Sequence, residues 1–135
     1  MSKKIIKAGI LAGLTMLIIG QLVDYIVQIV PSLAYDIFAV GGMRAQDDPV
    51  MMLFFLHTIV LATAMAYLFD KTKASFKGDE TGKRFGIIMW LVVSIPSMFL
   101  VYTSMNYHIG FFVSGLIGSF LYMQVAGRII AKILK

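Results

Sequence analysis

The sequence predicts an all-α integral membrane protein, a four-helix bundle with the N- and C-termini both cytoplasmic. Three observations predict it: an apolar composition, four apolar runs of spanning length, and basic residues gathered on one side of those runs. Hydrophobic residues make up 59% of the 135 residues and charged residues 14%. Soluble domains run at roughly half and a quarter, and a soluble fold of this length could not hide so much apolar surface. The length suits a single transmembrane domain over residues 1–135, with no linker to divide it. Cysteine is absent, which excludes disulfides, thiol nucleophiles and thiolate metal sites.

A spanning helix takes about 20 predominantly apolar residues. Four segments qualify: Ile5–Val30, Val50–Phe69, Phe85–Met105 and Ile109–Leu134. The first has the basic start of a signal peptide, but Gly20-Gln21-Leu22-Val23-Asp24 offers no small-residue cleavage pattern. It is expected as a retained helix.

Orientation follows from the excess of Lys and Arg in cytoplasmic segments. Lys3, Lys4, Lys7, Lys71, Lys73, Lys77, Lys83, Arg84, Arg128, Lys132 and Lys135 fall on one side, and Arg44 alone on the other. The 70–84 loop is therefore expected in the cytoplasm and the 31–49 loop outside, in a multi-pass protein of the cell (inner) membrane. The net charge of +5 is explained by this topology and by anionic lipid, so no nucleic-acid partner is expected. The expected partners are the lipid bilayer and, through small-residue faces, a second copy or another membrane protein.

In the outer loop, residues 32–38 are expected as a short interfacial helix that Gly41-Gly42 breaks. Asp48 reads as an N-cap, with Pro49 at the first helical position. The turn Asn106-Tyr107-His108 is so short that the third and fourth helices must be antiparallel neighbours. Tyr35, Tyr102 and Tyr107 fall near the outer boundary, where amphipathic aromatics sit.

In lipid, small residues mark helix contact faces. Gly9, Gly13, Gly20, Gln21, Asp24 and Gln28 share one stripe of the first helix, within about 120°. The fourth helix has Gly110, Ser114 and Gly118 at fourfold spacing, with Gly115 and Ser119 beside them. These two helices are expected to pack most closely. Pro96, mid-span, should kink the third helix by crowding the Val92 carbonyl, with Ser94 or Ser97 satisfying freed backbone groups.

Asp24 is the most informative residue. A carboxylate at the centre of a span costs ~2.5–3.5 kcal/mol on insertion scales and is a functional hypothesis by default. Ideal helices place Asp24 roughly 9 Å, and His57 roughly 10 Å, below the outer ends of their spans. A shared depth suggests an outward-side pocket of Asp24, His57, Gln21 and Gln28, with Asn106, Tyr102 and His108 at its rim. Such a pocket would bind or translocate a small solute, ion or proton. The structural alternative is an interhelical hydrogen-bond cluster, because the His57 face, Leu53, Leu61, Ala64 and Leu68, is apolar. That makes the chain an interaction subunit of a membrane complex. An enzyme acting on lipid is the third reading and the least favoured. No catalytic residue is assigned, and the cofactor stays unknown.

Other matches are weak. Asp24, His57 and His108 offer metal-ligand chemistry without HxxxH or ExxH spacing, so no metal site is assigned. Asp36, Asp47 and Asp48 suit a hard cation, but capping and an Arg44 pair explain them better. Gly78-Asp79-Glu80-Thr81-Gly82-Lys83-Arg84 has three residues between its glycines where a phosphate loop has four. Ten methionines form no cluster with histidine and read as apolar filling.

The stretch Phe38-Ala39-Val40-Gly41-Gly42-Met43-Arg44-Ala45-Gln46-Asp47-Asp48-Pro49 resembles small prokaryotic four-span proteins of unknown function. Leu53-Phe54-Phe55-Leu56, Ala66-Tyr67-Leu68-Phe69-Asp70-Lys71, Phe85-Gly86, Pro96, Tyr102 and Gly127 extend the resemblance over most of the chain. It implies four helices and no activity. Small multidrug transporters share four helices and one acid in the first, but here the acid is off-centre, and the likeness is one of architecture alone.

Overall fold

A computed structural model describes residues 2–39, 44–45, 47–76, 78 and 80–135. Four helices are long and apolar enough to cross a membrane: α1 (Lys3–Gln28), α2 (Pro49–Ser75), α3 (Thr81–Ser104) and α4 (Ile109–Leu134). No strand occurs among the described residues. The chain is all-helical, and its four candidate spans have the character of a multi-pass membrane protein.

Helix α1 packs between α2 and α4, and α4 packs between α1 and α3. The α1–α4 contact is the most extensive in the fold. Both termini lie at one end. There the Lys73 ammonium donates to the Leu134 carbonyl at 2.9 Å, and Ile5 and Leu134 share a core cluster.

That core occupies the terminal half of the bundle. Ala8, Ala12 and Met16 of α1 meet Ala62, Met65 and Phe69 of α2 and Met123, Ala126 and Ile130 of α4, all fully buried. Phe69, Phe76 and Phe85 stack at centroid distances of 5.1 to 6.2 Å and close this end. Methionine here fills space between apolar neighbours. Toward the loop end the bundle opens: residues 49–56 of α2 and 95–104 of α3 bury no side chain.

The glycines are used differently from the single stripe that the sequence suggests. Gly9 and Gly13 face α2, not α4; an added Cβ would lie 2.6 Å from the Thr63 Cα or the Ile59 Cα. Gly20 and Gly118 do lie at the α1–α4 contact, beside Tyr122 and Val23, but with ordinary spacing. Backbones also approach closely between α3 and α4. A Cβ on Gly82 would sit 2.7 Å from the Arg128 Cα, and one on Gly86 2.7 Å from the Gln124 Cα. Gly127 answers from α4 against Gly82 and Gly86. This is small-xxx-small packing, with Gly82 and Gly86 one turn apart.

Two helices depart from α geometry. Asp48 caps α2 as expected, accepting from the Val50 N–H at 2.8 Å and from Arg44 at 2.9 Å. The Val50 N–H and then Arg44 hold its carboxyl below the usual carboxylate range. Residues 49–56 then wind as a 3₁₀ helix before α geometry begins at His57. In α3, a π turn over Trp90–Ser94 precedes Pro96. The Ile95 N–H reaches back to the Trp90 carbonyl, and the Ser97 hydroxyl donates to the Val93 carbonyl at 2.7 Å. The wider turn accommodates a ring that would crowd an α turn. The expected interfacial helix over 32–38 does not form; a turn is followed by a single 3₁₀ turn at Ile37–Ala39. Gly41-Gly42 lie outside the described residues.

Candidate functional site

Asp24 lies on α1, half-buried against α4. Its Oδ1 accepts hydrogen bonds from two hydroxyls: Tyr35 of the loop after α1, and Ser114 of α4 at 3.1 Å. One turn on, Gln28 grips the backbone of the same tyrosine. Its Nε2 donates to the Tyr35 carbonyl at 2.9 Å, and its Oε1 accepts from the Tyr35 N–H at 3.1 Å. Positions 24 and 28 share a helix face because they are four apart. One face of α1 therefore holds Tyr35 by both its phenol and its peptide.

Ser114 comes into reach because α4 starts beneath this loop. A Cβ on Gly110 would land on the Leu33 carbonyl, so only glycine lets the first turn of α4 approach so closely. His108 caps that turn, its Nδ1 accepting from the Gly110 N–H at 3.1 Å. The Tyr35 ring then meets Phe111 edge-on at 5.7 Å. Burial first, and then the hydrogen bond to Asp24, pushes the Tyr35 phenol up to about 12. The phenol is accordingly a donor.

Above this cluster lies a shallow depression of about 430 Å³, lined by Ala34, Tyr35, Asp36, Ala39, Asn106, Tyr107 and His108. Its polar groups are one carboxylate, one amide, one imidazole and two phenols, with no lysine or arginine. Asp36 Oδ1 accepts from the Phe38 N–H at 2.8 Å. Tyr107 and Phe111 stack at 4.6 Å.

The structure brings together only part of the sequence-derived set. Asp24 and Gln28 meet through Tyr35, and Asn106 and His108 line the depression. His57 does not join them. It is exposed, its ring nitrogen turned to the Phe54 carbonyl and its ring 4.8 Å from the Phe54 ring. The α-helical register explains this: α2 buries Thr58, Ala62, Met65, Ala66 and Phe69, and His57 shares the opposite, exposed side with Ala64 and Leu68. Gln21 is exposed on α1. Tyr102 is exposed and packs edge-on to Phe112 at 5.0 Å. Asp24, His57 and His108 do not converge; no group of three His, Cys, Asp or Glu that could hold a metal ion occurs among the described residues.

Sequence reasoning assigned Tyr35 to the boundary and Ser114 to packing, and missed both as partners of Asp24. The only available signal was the fourfold row Gly110-Ser114-Gly118, which places a hydroxyl on a close-packed face. No protein-family model, curated protein or solved structure matches this chain.

Proposed function

We propose that the chain is a multi-pass protein of the cell membrane, termini cytoplasmic, that binds a small cationic solute at its outer face. The orientation rests on the excess of basic residues at one end. The binding reading rests on one observation: the depression at the opposite end has an Asp36 carboxylate and the Tyr35 and Tyr107 rings in its wall, and no cationic side chain. A carboxylate beside aromatic faces is the chemistry that recognises an ammonium group. Asp24, with Tyr35 and Ser114, fixes the floor beneath it. Binding is favoured over passage through one copy, because the core below is apolar and fully buried.

Calorimetric titration of the protein in nanodiscs with tetramethylammonium tests this. Asp36→Asn should weaken binding about fivefold, the scale of one exposed charge pair, and His57→Ala should leave it unchanged. Equal affinities of the wild type and Asp36→Asn would remove the reading. A role as an interaction subunit is the second reading, favoured by the outer halves of α2 and α3 that bury nothing.

A further inference from the structure

The terminal end carries a second crevice, of about 400 Å³, where Glu80 and, on α3, Gly82 and Lys83 face Arg128 and Lys132 of α4 and Lys135 just past it. Its charge is lopsided. Glu80 is taken by Lys83 at 3.3 Å, and Lys135 reaches the Gly78 carbonyl at 3.5 Å. Arg128 and Lys132 have neither an ion pair nor a hydrogen bond among the described residues. They stand one turn apart on the same helix, where like charges repel. Gly82 lies against the backbone of Gly127 and Arg128, which holds the two walls of the crevice together.

We propose that this crevice binds a phosphate group, carried by an anionic lipid headgroup or supplied as free phosphate. Four cations around one cavity, with a single, already paired acid among the described residues, are matched by a compact multidentate anion. The surroundings favour the lipid. Leu121, Arg128 and Lys135 are seven apart and share a face of α4, and Leu121 is exposed, as are Ile88 and Leu91 on α3. Apolar surface for acyl chains thus runs from the crevice toward the middle of the bundle. The reading needs the chain to lie in a bilayer; it does not need the outer site.

The test is native mass spectrometry of the full chain in detergent with dioleoylphosphatidylglycerol, with dioleoylphosphatidylcholine and inorganic phosphate as separate arms. Phosphatidylglycerol should be retained on the order of tenfold over phosphatidylcholine, and the double variant Arg128→Gln, Lys132→Gln should lose that preference. The double variant Lys3→Gln, Lys4→Gln, which removes two cations outside the crevice, should keep it. Displacement of the lipid by inorganic phosphate supports the site and names free phosphate as a ligand; persistence of the lipid supports it and names the headgroup. Equal retention of the two lipids, or equal loss in both double variants, overturns the proposal.

Discussion

Tyr35 ties three segments together through one side chain and one peptide. Its phenol donates to Asp24, its backbone is clamped by Gln28, and its ring packs on Phe111. Removing the hydroxyl leaves a half-buried carboxylate with Ser114 as its remaining donor. Tyr35→Phe should therefore cost about 1–3 kcal/mol, the penalty for a hydrogen bond lost to a charged group, read as a lower thermal midpoint in detergent. The same residue gives a pH signature. Its phenol is raised from 10 to about 12 in the fold, so the folded state holds that proton more tightly than the unfolded state. The contribution is fully present below pH 10 and is lost as the pH rises toward 12. The wild type should lose stability across that window, and the difference from Tyr35→Phe should shrink there. A difference independent of pH would refute the coupling. Nothing local in the sequence marks Tyr35 for this role, because its partners lie 11 residues away on a helix and, through Asp24, 90 residues further on.

At the scale of elements, the glycines separate into contacts that need no Cβ and contacts that tolerate one. The α3–α4 crossing at Gly82, Gly86 and Gly127 is of the first kind, and the α1–α4 positions Gly20 and Gly118 are of the second. Gly86→Ala should destabilise by about 1–3 kcal/mol, as overpacking does. Gly118→Ala, whose new methyl would meet the Val23 Cγ1 at 3.6 Å, should change the thermal midpoint little. Equal effects of the two would contradict the crossing described. The sequence shows Gly9 and Gly13 four apart on α1, Gly110, Ser114 and Gly118 at fourfold spacing on α4, and Gly82 and Gly86 four apart. It does not show which helix each face meets. That choice depends on the rotation of each helix about its axis. In α2 and α3 a 3₁₀ segment and a π turn reset that rotation partway along.

For the whole molecule, one end is closed, apolar inside and rich in cations, while the other is open and roofed by the 29–39 segment. The charge asymmetry carries a prediction about insertion. Reporter fusions at the two termini and at Gly78 should report a cytoplasmic location, and one at Ala45 an external one. An external report at Gly78 would invert both the outer binding reading and the leaflet expected for the phosphate crevice. The two proposed sites lie at opposite ends of the bundle, so neither test depends on the other.

Four long apolar helices, the cap at Asp48 and a carboxylate set within the first helix at Asp24 were legible from the sequence. Each follows from properties that are local: apolar run length, a side chain that bonds its own backbone, and the cost of a charge among apolar neighbours. The tertiary structure alone decided what Asp24 meets. His57 has a similar nominal depth, but α2 packs through Thr58, Ala62, Met65, Ala66 and Phe69, which leaves His57 on its exposed side. Tyr35 and Ser114 take that place because Gly110 lets α4 rise against the loop. Depth along a helix is set by counting residues, whereas the face a residue presents depends on how its helix is rotated against its neighbours. For that reason the spans were readable and the partners of the one costly carboxylate were not.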